Sequence, residues 1–291
     1  MHCVINLNKP AGMTSHDAVS RTKRILRASK AGHAGTLDPM ATGVLLVCVN
    51  EATKISRYLL DLGKEYRAVL KLGERTDTYD ADGEIVEQHD LASFDPSVLD
   101  KALPLFRGRI MQRPPMYSAV KIRGKRLYAL ARKGIEIERP ARPVEISRLE
   151  VVSLGLPYLV LDIACSKGTY IRSLAEDIGN RIGTGAHLVS LDRTGVGQFK
   201  GSNAVTFDQI AAGNFRAATI EDALSHLKHL ELDEEESARI RSGQMIERDE
   251  TDLFLDDEPV LLRGARGDVI ALGVRKLNKI KPERVFNIPA V

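Results

Sequence analysis

One acidic side chain of this sequence lies in a local setting that suits chemistry. Asp38 precedes Pro39 in a segment with glycine at three nearby positions, Gly32, Gly35 and Gly43. Proline fixes its own φ and favours an extended conformation in the residue before it, and glycine permits backbone conformations that a Cβ forbids. A carboxylate on such a loop could serve as a nucleophile or as a general base. The same residue types also make ordinary Asp-Pro turns, and the local sequence alone favours that interpretation.

The segments on either side must hold the loop of Asp38 in place. The uninterrupted apolar run at 44–49 predicts a buried strand. Upstream, apolar residues at helical spacing predict a helix over 15–29, with Ser15 as its N-cap and a basic opposite face. Residues 64–71 alternate between apolar and charged types, which predicts a half-buried strand. We therefore expect the loop to lie beside a buried strand.

The other predicted elements follow no regular βαβ order, which indicates an α+β fold. Further strands are predicted at 143–154, 158–165, 186–196, 259–263, 269–274 and 284–288. Further helices are predicted at 126–133, 169–179, 206–212 and 219–228.

Length and composition exclude several classes of protein. The 291 residues suffice for one large and one small domain. No apolar stretch approaches the ~20 residues of a membrane helix, and the N-terminus has no signal-peptide pattern, so we expect a cytoplasmic protein. Cys3, Cys48 and Cys165 are odd in number and far apart, which argues against a disulfide framework or a metal site. Phosphate-loop, dinucleotide and spaced Cys/His motifs are absent from the sequence, so we expect no cofactor.

The charges are segregated along the chain, although the net charge is only +3. Five basic residues and no acid lie between Asp17 and Asp38, and residues 101–135 contain ten basic residues and no acid. In contrast, residues 221–258 carry fourteen acids and four bases. This distribution predicts a polyanionic partner. The alternative is that like charges cluster by chance on a solvated surface.

Five segments of the chain resemble, in order, the motifs of the TruB-type pseudouridine synthases. They are residues 8–12 with Thr14 and Ser15, 32–45, 64–66, 113–121 and 165–174. One departure is Ala34, where threonine is common in the family. It leaves the position of Asp38 unchanged.

The resemblance implies an enzyme that isomerises uridine to pseudouridine at position 55 in the T-loop of tRNA, without a cofactor or metal. It implies a mixed, largely antiparallel sheet with flanking helices over residues 1–228, and a basic RNA-gripping insertion at about 101–145. Residues 229–291 resemble more loosely the small, mostly-β PUA-like domain of many such synthases; a C-terminal packing extension is the alternative. The implied partner is the T-arm of tRNA. We expect a monomer with no obligate protein partner and no membrane contact.

The resemblance also assigns roles to individual side chains of the pocket. Asp38 has the position of the catalytic aspartate, and its action as nucleophile or as base is left open. Tyr66 is expected to stack on an extruded uracil, and Leu191 to lie against the base. Tyr170 and Arg172 match an aromatic and a basic pocket residue. An arginine paired with Asp38 would keep that carboxylate charged and oriented.

Other residues have more than one possible use. His33 could carry protons, could be an inert loop residue, or, as the resemblance implies, could wedge into the RNA where the flipped nucleotide had stacked. The loop at 73–83 has several aspartates without the EF-hand spacing, which excludes a calcium site, and the resemblance implies that it borders the cleft. Four basic residues of the insertion are expected to contact RNA phosphates: Lys121, Arg123, Lys125 and Arg126.

Two other functions compete with the bacterial tRNA-modifying enzyme. A noncatalytic RNA-binding or RNA-chaperone protein could retain the same fold, but binding alone does not require Asp38, Tyr66 and Arg172. A related synthase that uses guide RNA is the second alternative. The chain length and the absence of long lysine-rich tails favour the stand-alone form.

Overall fold

The computed structural model describes residues 1–118, 121–122, 125–126, 135, 137–248 and 254–288. Its strands up to residue 200 are β1 (Cys3–Lys9), β2 (Ala31–His33), β3 (Thr42–Val49), β4 (Lys64–Leu72), β5 (Glu74–Thr76), β6 (Ile85–Gln88), β7 (Gly108–Gln112), β8 (Lys121–Ile122), β9 (Lys125–Arg126), β10 (Arg142–Gly155), β11 (Tyr158–Cys165), β12 (Ala186–Val196) and β13 (Phe199–Lys200).

The large sheet has the strand order β1-β3-β12-β4-β11-β10-β7, with β2 paired to β3 and β13 to β12. Its pairs are antiparallel except for β12 with β3, which run parallel. The prediction of an α+β fold with a mixed, largely antiparallel sheet is therefore confirmed.

Helices pack on the sheets of the structure or connect their strands. They are α1 (Ser15–Ile25), α2 (Ser56–Leu60), α3 (Ser97–Ala102), α4 (Ile171–Ile182), α5 (Phe207–Ala211), α6 (Ile220–Ala223) and α7 (Glu234–Arg241), with short 3-10 helices at Asn50–Ile55, Leu103–Phe106 and Gly201–Asn203. In the parts of the chain that the structure describes, no helix has the length and apolar character needed to cross a membrane.

The apolar run at 44–49 is buried because both faces of β3 are covered. Leu45 and Val47 pack into the core that includes α1. Val44 and Leu46 pack on the other face, against the 3-10 helix at 50–55, α2 and residues of the C-terminal region. A strand covered on both faces needs apolar residues at consecutive positions.

Helix α1 departs from the prediction at both ends. Thr14, not Ser15, is the N-cap: its hydroxyl accepts from the Asp17 backbone N–H, and the Asp17 carboxylate accepts from the Thr14 N–H. This reciprocal arrangement is a capping box. The helix ends at Ile25 rather than near residue 29, because Arg27 adopts a left-handed φ of 48°.

A smaller sheet follows in the C-terminal region. Its strands, in the order β14-β16-β17-β18-β15, are β14 (Lys228–Glu231), β15 (Ile246–Glu247), β16 (Pro259–Arg263), β17 (Val269–Lys276) and β18 (Lys279–Val285). The segment after β18 is anchored on the 3-10 helix at 50–55. Lys54 Nζ donates to the Val285 carbonyl at 2.7 Å, and the Asn287 N–H donates to Glu51 Oε2 at 2.8 Å.

Most predicted strands are confirmed, and the departures fall at element ends. The strand expected at 284–288 lies instead at 279–285. The helix expected at 219–228 ends at Ala223, and Lys228 already begins β14. The prediction of a helix at 126–133 is wrong at Arg126, which belongs to β9, and its other residues lie outside the described chain.

Candidate active site

Asp38 lies in a loop that two strands hold at its ends. Strand β2 ends at His33 and β3 begins at Thr42. Within the loop, the Ser15 hydroxyl accepts from the Leu37 backbone N–H at 2.8 Å and donates to the Leu37 carbonyl at 3.1 Å. The Asp38 side chain is 34% exposed. The carboxylate therefore reaches solvent from a backbone that is fixed.

Two buried cations support this loop through its backbone. Lys9 is completely buried, and its ammonium donates to the carbonyls of Pro10, Met13 and Pro39 at 2.9, 2.8 and 3.3 Å. Burial lowers the pKa of Lys9, and the nearby Asp38 carboxylate opposes that shift. Arg193 of β12 donates to two other carbonyls of this loop and to one carbonyl of β3.

Arg172, the second residue of α4, forms a bidentate ion pair with Asp38. Its Nε lies 2.9 Å from Asp38 Oδ2, and its Nη2 lies 3.1 Å from Oδ1. The Arg172 side chain is only 6% exposed, and Nη2 also donates to the Tyr117 carbonyl at 2.8 Å. Two parallel hydrogen bonds fix both the plane and the direction of a carboxylate.

Asp80 is a second carboxylate on Arg172, and sequence analysis did not single it out. Its Oδ2 lies 3.4 Å from Arg172 Nη1, and its Oδ1 accepts from the Thr78 hydroxyl at 2.6 Å. The Leu188 N–H of β12 donates to the Tyr79 carbonyl and so draws this loop into the site. Burial raises the pKa of Asp80, and the Thr78 hydrogen bond and the Arg172 charge oppose that rise.

Tyr66 and Leu191 lie on one face of the large sheet. Leu191 pairs with Ala68 in the ladder between β12 and β4, and Tyr66 is two residues from Ala68, so its side chain points to the same side. Both residues belong to the buried cluster that contains Leu37. Burial raises the pKa of Tyr66, and the Asp38 charge adds to this rise. A neutral phenol ring and an aliphatic side chain therefore lie close to the carboxylate.

Tyr170 comes immediately before α4, and two hydrogen bonds to its backbone hold it in place. The Gln112 side chain accepts from the Tyr170 N–H at 2.8 Å and donates to the Tyr170 carbonyl at 3.0 Å. Burial raises the pKa of the Tyr170 phenol, the Arg172 charge opposes this rise and the Asp38 charge adds to it. Tyr170 is thus a second neutral aromatic residue near the ion pair.

His33 is half-buried at the end of β2. Burial lowers the pKa of its imidazole, and the positive charge of Arg193 lowers it further. Its Nδ1 is buried and has no hydrogen-bond partner among the residues that the structure describes. At neutral pH His33 is therefore an uncharged planar group next to the loop of Asp38.

Three of the four basic residues expected to contact RNA lie in a short two-stranded ribbon. Lys121 belongs to β8, Lys125 and Arg126 belong to β9, and Arg123 lies outside the described residues. The ribbon comes shortly after Tyr117, whose carbonyl contacts Arg172. A second basic group is exposed on and after α1, consisting of Arg21, Lys23, Arg24, Arg27 and Lys30.

The side chains of the site are a carboxylate, aromatic groups and an aliphatic group. Within residues 1–118, 137–248 and 254–288, no group of His, Cys, Asp and Glu side chains is arranged to hold a metal ion. The site instead combines one accessible, oriented carboxylate with aromatic and aliphatic side chains that suit a planar ring. Such a carboxylate can attack an electrophilic carbon or remove a proton.

Family models match most of the chain. The N-terminal domain of the TruB family of pseudouridylate synthases matches residues 23–171, and the C-terminal domain of tRNA pseudouridylate synthase B matches residues 172–232. A tRNA pseudouridine synthase B from Mannheimia succiniciproducens is 43% identical over 99% of this chain and 97% of its own length. The protein of that name from Clostridium tetani is 46% identical over 84% of this chain and 85% of its own.

Solved structures of similar chains share the fold. A chain of a Cbf5-Nop10-Gar1 complex is 28% identical with a TM-score of 0.75, over 98% of this chain and 84% of its own length. A chain of an archaeal box H/ACA Nop10-Cbf5 complex is 25% identical with a TM-score of 0.74, over 98% of this chain and 86% of its own.

Proposed function

This chain belongs to the TruB family of pseudouridylate synthases, and we propose that its substrate is uridine 55 in the T-loop of tRNA. It is a pseudouridine synthase. The observation that carries the proposed chemistry is the pair of Asp38 and Arg172, in which a buried arginine orients an accessible carboxylate. The names of its relatives and the segregated basic residues support tRNA as the substrate.

The proposed reaction is an isomerisation that needs no redox step. The bond between uracil N1 and ribose C1′ breaks, the base turns, and C5 bonds to C1′. A proton leaves C5 and N1 gains one, so substrate and product have the same atoms. In this reaction Asp38 acts either as a nucleophile toward the nucleotide or as a base that removes a ribose proton.

A uridine inside a folded RNA loop must leave its stack before Asp38 can reach it. We propose that Tyr66 stacks on the flipped uracil and that Leu191 contacts it from β12. Tyr170 borders the pocket, and Arg172 keeps Asp38 oriented. Ring stacking of this kind is worth roughly 1–3 kcal/mol per base.

The proposed activity is tested with an unmodified tRNA transcript. After incubation with the protein, pseudouridine is mapped by position, with a transcript carrying cytidine at position 55 as the control. We expect conversion at position 55 in the first transcript alone. Binding without conversion would contradict the proposal and favour a noncatalytic RNA-binding protein.

We predict that His33 acts by its bulk rather than by its charge. His33→Gln and His33→Phe should retain much of the activity on folded tRNA, whereas His33→Ala should impair it, because nothing would replace the stacking lost on flipping. Burial lowers the pKa of His33, so the neutral form persists at neutral pH. A short unstructured oligonucleotide should be less sensitive to His33→Ala than tRNA is. Equal loss in all three variants, on both substrates, would show that His33 carries protons.

We predict that the basic ribbon contacts RNA phosphates. Replacing Lys121, Arg123, Lys125 and Arg126 by Gln should weaken tRNA binding and flatten its salt dependence. The plot of log K against log salt has a negative slope, and each lost phosphate contact reduces the magnitude of that slope by roughly 0.9. Binding is measured at several salt concentrations, and an unchanged slope would mean that these charges are only solvated.

The two sheets support a proposed division of the chain. We propose a catalytic domain over residues 1–228, including the basic insertion at about 101–145, and a PUA-like RNA-binding domain over 229–291. The five-stranded sheet of β14 to β18 supports the second unit.

We also propose that the protein works in the cytoplasm as a monomer without an obligate partner. Cys3, Cys48 and Cys165 are buried free thiols. Burial raises their pKa values to about 11, 12 and 11, which keeps them protonated and unreactive. Such thiols suit a reducing compartment.

A further inference from the structure

Arg193 is a buried arginine of β12 whose guanidinium contacts the backbone on both sides of Asp38. The residue is 1% exposed. Its Nη2 donates to the Gly35 carbonyl at 3.1 Å, its Nη1 to the Thr36 carbonyl at 3.3 Å, and its Nε to the Val44 carbonyl at 2.7 Å. Two of these carbonyls precede Asp38 and one follows it. One planar group therefore ties the loop to β12 on both sides of the carboxylate.

The loop also approaches the backbone of Arg193 very closely. Gly43 lies opposite Arg193 in the parallel pairing of β3 and β12, and its φ is 94°. A Cβ at Gly43 would lie 2.4 Å from the Arg193 carbonyl oxygen, which no side chain can accept. At the other end, Gly35 has a φ of 106°, and a Cβ there would lie 3.6 Å from Arg193 Nη1. The two glycines thus let the loop close onto this arginine.

The positive charge of Arg193 affects the pKa values of several neighbouring groups. It lowers the pKa values of Lys9 and His33, and it opposes the rise that burial causes at Tyr66. A buried cation costs free energy unless hydrogen bonds compensate it. Here the compensating hydrogen bonds go to carbonyls of the loop and of β3, so breaking any of them would destabilise the buried charge. We therefore expect these contacts to hold the loop in one conformation.

We propose that Arg193 is a positioning residue that fixes Asp38 relative to Tyr66 and Leu191. Leu191 lies two residues before Arg193 on β12. The same strand therefore carries a residue expected to contact the uracil and the arginine that binds the backbone around Asp38. Arg193 acts through Asp38 and does not contact the substrate. The inference rests on the proposed function for the identity of the substrate, but the support of the loop is a property of the free protein.

The test compares Arg193→Met with the matched control Lys64→Met. Lys64 is also a buried cation, 7% exposed, and its ammonium donates to the backbone carbonyls of Leu60 and Leu62. These carbonyls lie outside the loop of Asp38. Both variants remove a buried charge and its hydrogen bonds, so both should lower the melting temperature. Arg193→Lys is a milder change, because lysine keeps the positive charge but lacks the planar guanidinium group.

We expect the backbone amides of residues 34–43 to exchange hydrogen faster in free Arg193→Met than in wild type or Lys64→Met. At a temperature where all variants are folded, single-turnover conversion at saturating tRNA should fall about 100-fold in Arg193→Met, the loss expected from a small misplacement of a reacting group. It should fall about tenfold in Arg193→Lys and stay within about threefold in Lys64→Met, while the Kd for tRNA changes less than about threefold in each.

Unchanged single-turnover conversion in Arg193→Met would overturn the proposal, and so would an equal loss in Lys64→Met, which would indicate general destabilisation. If Arg193→Met does not fold, hydrogen exchange and single-turnover conversion of Arg193→Lys test the proposal in its place. A wild-type protein that binds tRNA without converting it would contradict the proposed function instead. Hydrogen exchange would then still test whether Arg193 supports the loop.

Discussion

Asp38→Asn should abolish pseudouridine formation while leaving tRNA binding within about tenfold, or ~1.4 kcal/mol. Asparagine keeps the shape of the side chain and can still accept a hydrogen bond from Arg172. It is neither a nucleophile nor a base of useful strength, so the chemical step should fail. Single-turnover conversion and tRNA binding are measured on the same preparation.

Asp162→Asn is the matched control for this prediction. Asp162 also forms a bidentate pair with an arginine, since Arg67 Nε and Nη2 lie 2.9 and 2.8 Å from its two oxygens. That pair joins β11 to β4 and does not involve the loop of Asp38. Asp162→Asn should convert tRNA at close to the wild-type rate. Substantial turnover by Asp38→Asn would remove Asp38 from the catalytic role.

Arg172→Lys should lower single-turnover conversion at least about 100-fold. Lysine retains the charge but cannot donate two parallel hydrogen bonds, so Asp38 loses its fixed orientation. It also leaves Asp80 with a poorer partner in a buried position. Arg67→Lys changes a bidentate pair of the same kind outside the site and should have little effect on the rate. A near-wild-type rate in Arg172→Lys would show that orientation by this residue is unimportant.

Asp80→Asn extends this prediction by one step. If Asp80 acts by holding Arg172, its replacement should slow conversion about tenfold in the wild-type protein and much less in Arg172→Lys. Residues of one network show such non-additive effects, whereas independent residues add. A double-mutant cycle of the single-turnover rates measures this coupling. Fully additive losses would mean that Asp80 acts through something other than Arg172.

The fold was predictable where local patterns and tertiary environment agree. The alternation at 64–71 and the apolar run at 44–49 correspond to β4 and β3. The N-cap of α1 was misplaced because two adjacent residues have similar capping propensities. Thr14 and Ser15 can both cap a helix, and only the Asp17 side chain, three residues after Thr14, identifies the cap. Ser15 is used instead to fix Leu37.

The site was predictable only in part, because its supporting contacts are long-range. Asp80 is one of several aspartates in its loop, and the hydrogen bonds between that loop and β12 select it. The roles of Lys9 and Arg193 depend on backbone carbonyls, which leave no mark in the sequence. The glycine at position 43 was visible, but the close approach of β12 that requires glycine there was not.

The most direct test of the account is a structure of Asp38→Asn bound to an unmodified T-arm RNA. We predict that uridine 55 is flipped out of the RNA, with its uracil stacked on Tyr66. The side chain at position 38 should still be held by Arg172, about 3–3.5 Å from the atom of the nucleotide with which the carboxylate would react. A uridine that remains stacked in the RNA loop, or one that is flipped into a pocket away from Asp38, would contradict it.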